Sequence, residues 1–146
     1  MRPLRFYVAC GLTQASFEFK DFVISFKERI KKECGIEIFE FVGLTAGTPS
    51  EVYETDIAYV EQADGIIAIL DVPAIGLGME IDHAINSNKP LLCLAHKDAS
   101  VTRMIKGAND LGLLTFATYV DLDSAVALVK QFIATKVPTI RKTQNQ

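Results

Sequence analysis

The chain has no tryptophan, and only two histidines and three cysteines in 146 residues. Those shortages, and several missing motifs, exclude more than the composition asserts. Cys93 and His96 form a C-x-x-H pair, but no second pair completes the four-ligand set of a zinc site, so no metal is expected. Cys10, Cys34 and Cys93 are odd in number and each lies within or beside an apolar segment, as reduced thiols in a cytoplasmic protein would. Basic residues are not in excess: Lys+Arg 15 against Asp+Glu 18 gives a net charge of -3, which argues against long nucleic acid as a partner. No apolar run approaches the roughly 18 residues that span a bilayer, and Met1-Arg2-Pro3-Leu4 enters a short strand without a signal-peptide core, so no membrane association is expected. The loop after the first strand lacks G-x-G-x-x-G, and neither a P-loop nor a G-x-S-x-G elbow occurs. A dinucleotide dehydrogenase, a P-loop ATPase and a serine hydrolase are therefore disfavoured, and no cofactor is expected. Internal repeats and low-complexity segments are absent as well.

What is present is an alternation of short apolar runs with helical periodicity. Arg5 to Cys10 predicts a buried first strand, and Phe19, Phe22, Val23, Phe26 and Ile30 mark a helix over Ser16 to Cys34, stopped by Gly35. Ile36 to Val42 predicts the second strand, with a loop over Gly43 to Gly47. Thr48-Pro49-Ser50-Glu51 has the form of a capping box with proline at the first helical position, opening a helix that reaches about Gln62. Gly65 to Leu70 carries no polar alternation, as a strand buried on both faces requires. A short helix over Glu80 to Ser87, a strand over Pro90 to Ala95, a helix over Thr102 to Ala108, a strand over Leu113 to Val120 and a last helix through Ile133 complete the pattern. Five strand-helix units predict an α/β three-layer sandwich, flavodoxin-like or Rossmann-like, with a parallel sheet of order 2-1-3-4-5. One domain over residues 1–135 and a polar tail over 136–146 are expected.

In that topology ligands bind at the carboxyl ends of the strands, at the switch point between strands one and three. Gly76-Leu77-Gly78-Met79-Glu80 follows strand three, and the two glycines predict a tight turn with Glu80 opening the next helix. A carboxylate there is either a helix-start acid stabilised by the dipole or a nucleophile. Asp56 lies on the apolar stripe of its helix, four residues from both Val52 and Val60, at the rim of a pocket or inside it. Asp71 ends strand three and faces the crevice. Asp64 reads as a turn residue, His83 as a solvated helix residue, and Lys89 and Lys106 as surface charges.

The ordered set Tyr7-Val8-Ala9-Cys10-Gly11, Tyr53-Glu54-Thr55-Asp56-Ile57, Ala63-Asp64-Gly65-Ile66-Ile67-Ala68 and Gly76-Leu77-Gly78-Met79-Glu80-Ile81 resembles the nucleoside 2-deoxyribosyltransferase superfamily. Within it, Asn88-Lys89-Pro90-Leu91-Leu92-Cys93-Leu94 and Met104-Ile105-Lys106-Gly107-Ala108 are most similar to the 2′-deoxynucleoside 5′-phosphate N-hydrolases of the Rcl type. The resemblance runs in order from Tyr7 to about Ala108. It implies Glu80 as nucleophile at the anomeric carbon, Asp56 as the second carboxylate near the leaving base, and Tyr7 holding Glu80 or the sugar by its hydroxyl. Substrate contacts are expected from Gly11, Thr13, Asp71, Gly76, Gly78 and Thr102. This is retaining glycosidase chemistry, which needs two carboxyl groups about 5 Å apart.

The chain departs from the N-hydrolase pattern at the phosphate. Ala74 stands where a phosphate-binding serine is expected, Thr102 replaces a serine donated by the neighbouring subunit, and Thr13 or Gln14 replaces an arginine. The resemblance implies a homo-oligomer, at least a dimer. The leading expectation is cleavage of the N-glycosidic bond of nucleoside 5′-monophosphates, deoxy forms first, through a glycosyl-enzyme. A nucleoside deoxyribosyltransferase using the same Glu80, and a non-catalytic nucleotide-binding module, are the two alternatives. Base contacts would come from loops 11–16 and 42–48.

Overall fold

Strand and helix alternate along the chain as β1 (Arg5–Cys10), α1 (Phe17–Cys34), β2 (Glu37–Ile38), α2 (Pro49–Gln62), β3 (Gly65–Ile69), α3 (Ile75–Asn86), β4 (Leu91–His96), α4 (Arg103–Asp110), β5 (Thr115–Tyr119) and α5 (Leu122–Gln144). The computed structural model describes residues 2–40 and 47–144, with residues 137–144 described by backbone alone. The strands form one parallel sheet in the order β2-β1-β3-β4-β5, the order the sequence predicts. No helix among the described residues is long and apolar enough to cross a membrane.

Period-2 alternation of the strands divides the core in two. Phe6 and Val8 of β1, Ile67 and Ile69 of β3, and Leu92 and Leu94 of β4 pack with Val23, Phe26 and Ile30 of α1 and with Val126 and Val129 of α5. On the opposite face Tyr7, Ala9, Ile66, Ala68, Leu70, Cys93 and Ala95 pack with Val60 of α2 and with Leu77, Ile81 and Ala84 of α3. Both faces of β3 are covered, which is why its sequence shows no alternation. Each large side chain so buried, Phe26 or Ile67 for example, contributes about 1.5–3 kcal/mol.

Local signals place most helix ends. The Ser16 hydroxyl accepts from the Phe19 amide at 3.1 Å, and Gly35 closes α1 in the left-handed region at φ 62°. Thr48 accepts from the Glu51 amide at 3.3 Å with Pro49 at the first turn. Thr102 caps α4 by accepting from the Met104 amide at 3.3 Å.

The main correction concerns α3. It begins at Ile75, not at Glu80, so Gly76 and Gly78 are helical residues of its first turns and make no tight loop. Leu77, Ile81 and Ala84 form an i, i+4, i+7 stripe against the sheet, and burying Leu77 offsets the helix cost of two glycines, about 1 kcal/mol each. Strand β2 is shorter than expected, and residues 41–46, which carried its predicted end and most of the following loop, lie outside the described residues. Helix α5 continues to Gln144 through most of the segment expected as a polar tail.

Candidate active site

Helix periodicity puts Glu80 on the buried face of α3, three residues after Leu77 and four before Ala84. It is only 8% exposed. Strand alternation turns Tyr7 of β1 toward the same side, and its phenol donates a hydrogen bond to Oε2 of Glu80. Burial pushes the Glu80 carboxyl up to about 7; the Tyr7 hydrogen bond opposes this, and the charge of Asp56 adds to it. The Tyr7 phenol is itself held far above its ordinary range, first by burial and then by Glu80, so it stays a donor. Asp56 on α2 is half-buried, and loss of solvent raises its pKa. A carboxyl poised to change charge near neutrality, with a fixed donor and a second acid whose charge reaches it, is suited to nucleophilic and acid-base work.

The remaining candidates fall into two cavities flanking the start of α3. One, of about 560 Å³, is lined by Gly11, Thr13 and Gln14 after β1 and by Val72, Pro73, Ala74, Ile75 and Gly76. Gly11 is required there: a β-carbon would lie 2.7 Å from the Val72 carbonyl oxygen and 2.9 Å from Cβ of Ala74. Ala74 caps α3 without a side-chain hydrogen bond, so amides of the first turn gain no side-chain acceptor from the cap position. The other cavity, of about 740 Å³, lies between α3 and α4 and is mainly apolar, with Leu77, Gly78, Ile81, Val101, Thr102 and Ile105 among its lining. Open space stands where β-carbons of Gly76 and Gly78 would be. Tyr7, Asp56 and Glu80 line neither cavity.

Asp71 has a different environment. One oxygen accepts from the His96 amide at 3.0 Å and the other from the Tyr119 phenol, tying the ends of β3, β4 and β5 together. A substrate hydroxyl would have to share these oxygens. Two further tyrosines escaped the sequence reading. Tyr119 is one, and its only signal is a place at the end of an apolar run. Tyr59 is the other: one turn after Asp56 on α2, it lies 5.9 Å from Tyr7 between ring centroids and stacks on Phe39 at 4.8 Å.

No protein-family model matches the chain. Among individual proteins, one named 5-hydroxymethyl-dUMP N-hydrolase, from Branchiostoma floridae, is 32% identical over 72 residues, which are 48% of this chain and 69% of that protein. The chain belongs to the 2′-deoxynucleoside 5′-phosphate N-hydrolase family. A Methanosarcina barkeri relative named as a 2′-deoxynucleoside 5′-phosphate N-hydrolase is 37% identical over 86 residues, 59% of this chain and 54% of the relative. The chain spans about half the length of the curated relatives it matches. Solved structures share this chain's fold. The CMP N-glycosidase of Clostridium botulinum superposes with a TM-score of 0.69 at 18% identity, over 88% of this chain and 98% of that one. The 2-deoxyribosyltransferase of Bacillus psychrosaccharolyticus gives 0.60 at 15% identity, over 84% and 90%.

Proposed function

We propose that this chain hydrolyses the N-glycosidic bond of 2′-deoxynucleoside 5′-monophosphates by double displacement at Glu80. The observation that carries the proposal is the buried Glu80 carboxyl, hydrogen-bonded by Tyr7 and balanced near neutral pH. In the first step a carboxylate oxygen of Glu80 bonds to the anomeric carbon as the bond to the base nitrogen breaks, and the electron pair leaves with the base. Asp56, whose pKa is raised by loss of solvent, is the second carboxyl proposed to supply the proton that the departing base takes up. In the second step water attacks the same carbon, Asp56 accepts its proton, and Glu80 leaves as carboxylate. Tyr7 keeps the attacking oxygen in one place and lowers the cost of its charge in a buried setting. No step needs a metal or cofactor.

The cavity beside Gly11, Thr13 and Gly76 suits the 5′-phosphate. It opens at the first turn of α3, where helix amides favour an anion, and the Thr13 hydroxyl and Gln14 amide lie alongside. Gly78 and Thr102 belong to the neighbouring apolar cavity, and we propose that a second copy of the chain covers it. Met104 and Leu111 of that region and Ile75 beside it are 82%, 78% and 88% exposed, more apolar surface than a free helix pair normally shows. A cytoplasmic, small-molecule enzyme is the corresponding cellular reading.

The test is free base released from nucleosides and nucleotides by the native chain and by Glu80→Gln, with and without a second free base. Release from deoxynucleoside 5′-monophosphates without added base, lost in Glu80→Gln, is the expected result. Exchange seen only with the second base would make the chain a transferase. Nucleotide binding without any release would make it a binding module.

A further inference from the structure

Tyr59 takes no part in the steps above, yet it stands between the two groups that flank Glu80. It follows Asp56 by three residues on α2, so both side chains project from one face of that helix. Its ring meets the Tyr7 ring at 5.9 Å with the planes tilted by 44°, and lies on the Phe39 ring at 4.8 Å and 28°. The guanidinium of Arg5 covers Phe39, 4.1 Å from its centroid. Arg5, Phe39, Tyr59 and Tyr7 thus form a continuous row of ring contacts that ends on the phenol bonded to Glu80. Aromatic contacts of this kind fix ring planes, and a ring plane fixes where a phenolic oxygen points.

We propose that Tyr59 is a positioning residue whose ring, backed by Phe39, sets the Tyr7 phenol against the Glu80 carboxylate. The inference rests on Glu80 being the reacting carboxylate, but its test requires no turnover. Among the described residues, few titratable groups face Glu80. Tyr7 comes from β1, Asp56 from α2, and the Cys10 thiol, which burial pushes up to about 11, from the end of β1. On α3 itself Asp82 is exposed and His83 is paired with Glu61 at 3.1 Å. In the β3 and β4 part of the same core only Cys93 titrates, and burial pushes it up to about 12. Loosening Tyr7 therefore has a readable consequence at Glu80.

The experiment is a carbon-13 NMR titration of the Glu80 carboxyl, assigned by its loss in Glu80→Gln. Tyr59→Leu, which keeps apolar bulk but removes the ring, is expected to raise the Glu80 midpoint by about one pH unit, the scale of a lost hydrogen bond to a charged group. Tyr59→Phe retains the ring and is expected to leave the midpoint in place. In a Tyr7→Phe background Tyr59→Leu is expected to cause no further shift. An unmoved midpoint in the native background, or an equal shift in both backgrounds, would overturn the proposal, since the latter means Tyr59 acts only by docking α2. If Tyr59→Leu does not fold, Phe39→Leu removes the other face of the stack and is judged by the same two outcomes. Absence of base release would count against the proposed reaction and leave this titration unaffected.

Discussion

At the scale of single residues, Glu80 carries the proposed chemistry and a stability cost. Its folded pKa lies near 7, above the ordinary carboxylate value, so the fold favours the protonated form. That preference is fully present below the ordinary carboxylate pKa and is lost as pH rises through about 7. Glu80→Gln, which can still accept the Tyr7 hydrogen bond, is therefore expected to match the native chain in urea unfolding at low pH. At pH 8 it should exceed it by about 3 kcal/mol. The proposed double displacement requires the opposite charge state. The acid limb of kcat/KM is expected to have its midpoint near 7, and Tyr7→Phe, which removes the contact that lowers the Glu80 pKa, should move that limb to higher pH. Glu80 stood out in the sequence as a lone acid after a buried strand, and it is buried against Tyr7 although the turn expected before it is helical. Tyr59 and Tyr119 did not stand out, because an aromatic residue beside apolar neighbours has the same pattern whether it fills a core or aims a hydroxyl.

At the scale of elements, α3 carries the candidate nucleophile and also the largest departure from the sequence reading. Two glycines four and two residues before an acid look like a turn, yet Leu77 between them packs on the sheet from a helix that begins at Ile75. The glycines then serve the space around the helix. Since no atom lies within 4 Å of a β-carbon built on Gly76, Gly76→Ala should fold well. It is expected to gain up to about 1 kcal/mol in helix stability and a few degrees in Tm. The added methyl enters the cavity assigned to the phosphate, so KM for nucleotides should rise while nucleosides are affected less. Gly11→Ala is the contrasting case. Its β-carbon would meet a backbone oxygen, and a loss of about 1–3 kcal/mol in unfolding experiments is expected. The Thr48 cap was the most legible local signal, because it acts within three residues of itself.

At the scale of the whole molecule, the parallel sheet followed from alternation, and its strand order is the one expected of a flavodoxin-like fold. A buried strand without polar alternation needs cover on both sides, and a β-α-β crossover supplies it. What the sequence could not supply was the grouping of candidates. Thr13 and Gly76 line one cavity, Gly78 and Thr102 another, and Tyr7 with Glu80 a third position deeper in the fold. Such grouping depends on where loops close, which spacing does not encode. The apolar cavity between α3 and α4 is expected to be covered in a homodimer. Sedimentation should give twice the chain mass for the native protein and a monomer for a chain carrying Met104→Glu and Leu111→Glu. A monomeric native protein at micromolar concentration would contradict this.

The covalent route through Glu80 is tested most directly by stereochemistry at the anomeric carbon. Methanol added as a competing acceptor traps the sugar phosphate as a methyl glycoside whose configuration NMR can read. Two displacements give the β-anomer, the configuration of the starting nucleotide, and the native chain is expected to form it while Glu80→Gln does not. Formation of the α-anomer would mean a single displacement by solvent and would contradict the role assigned to Glu80.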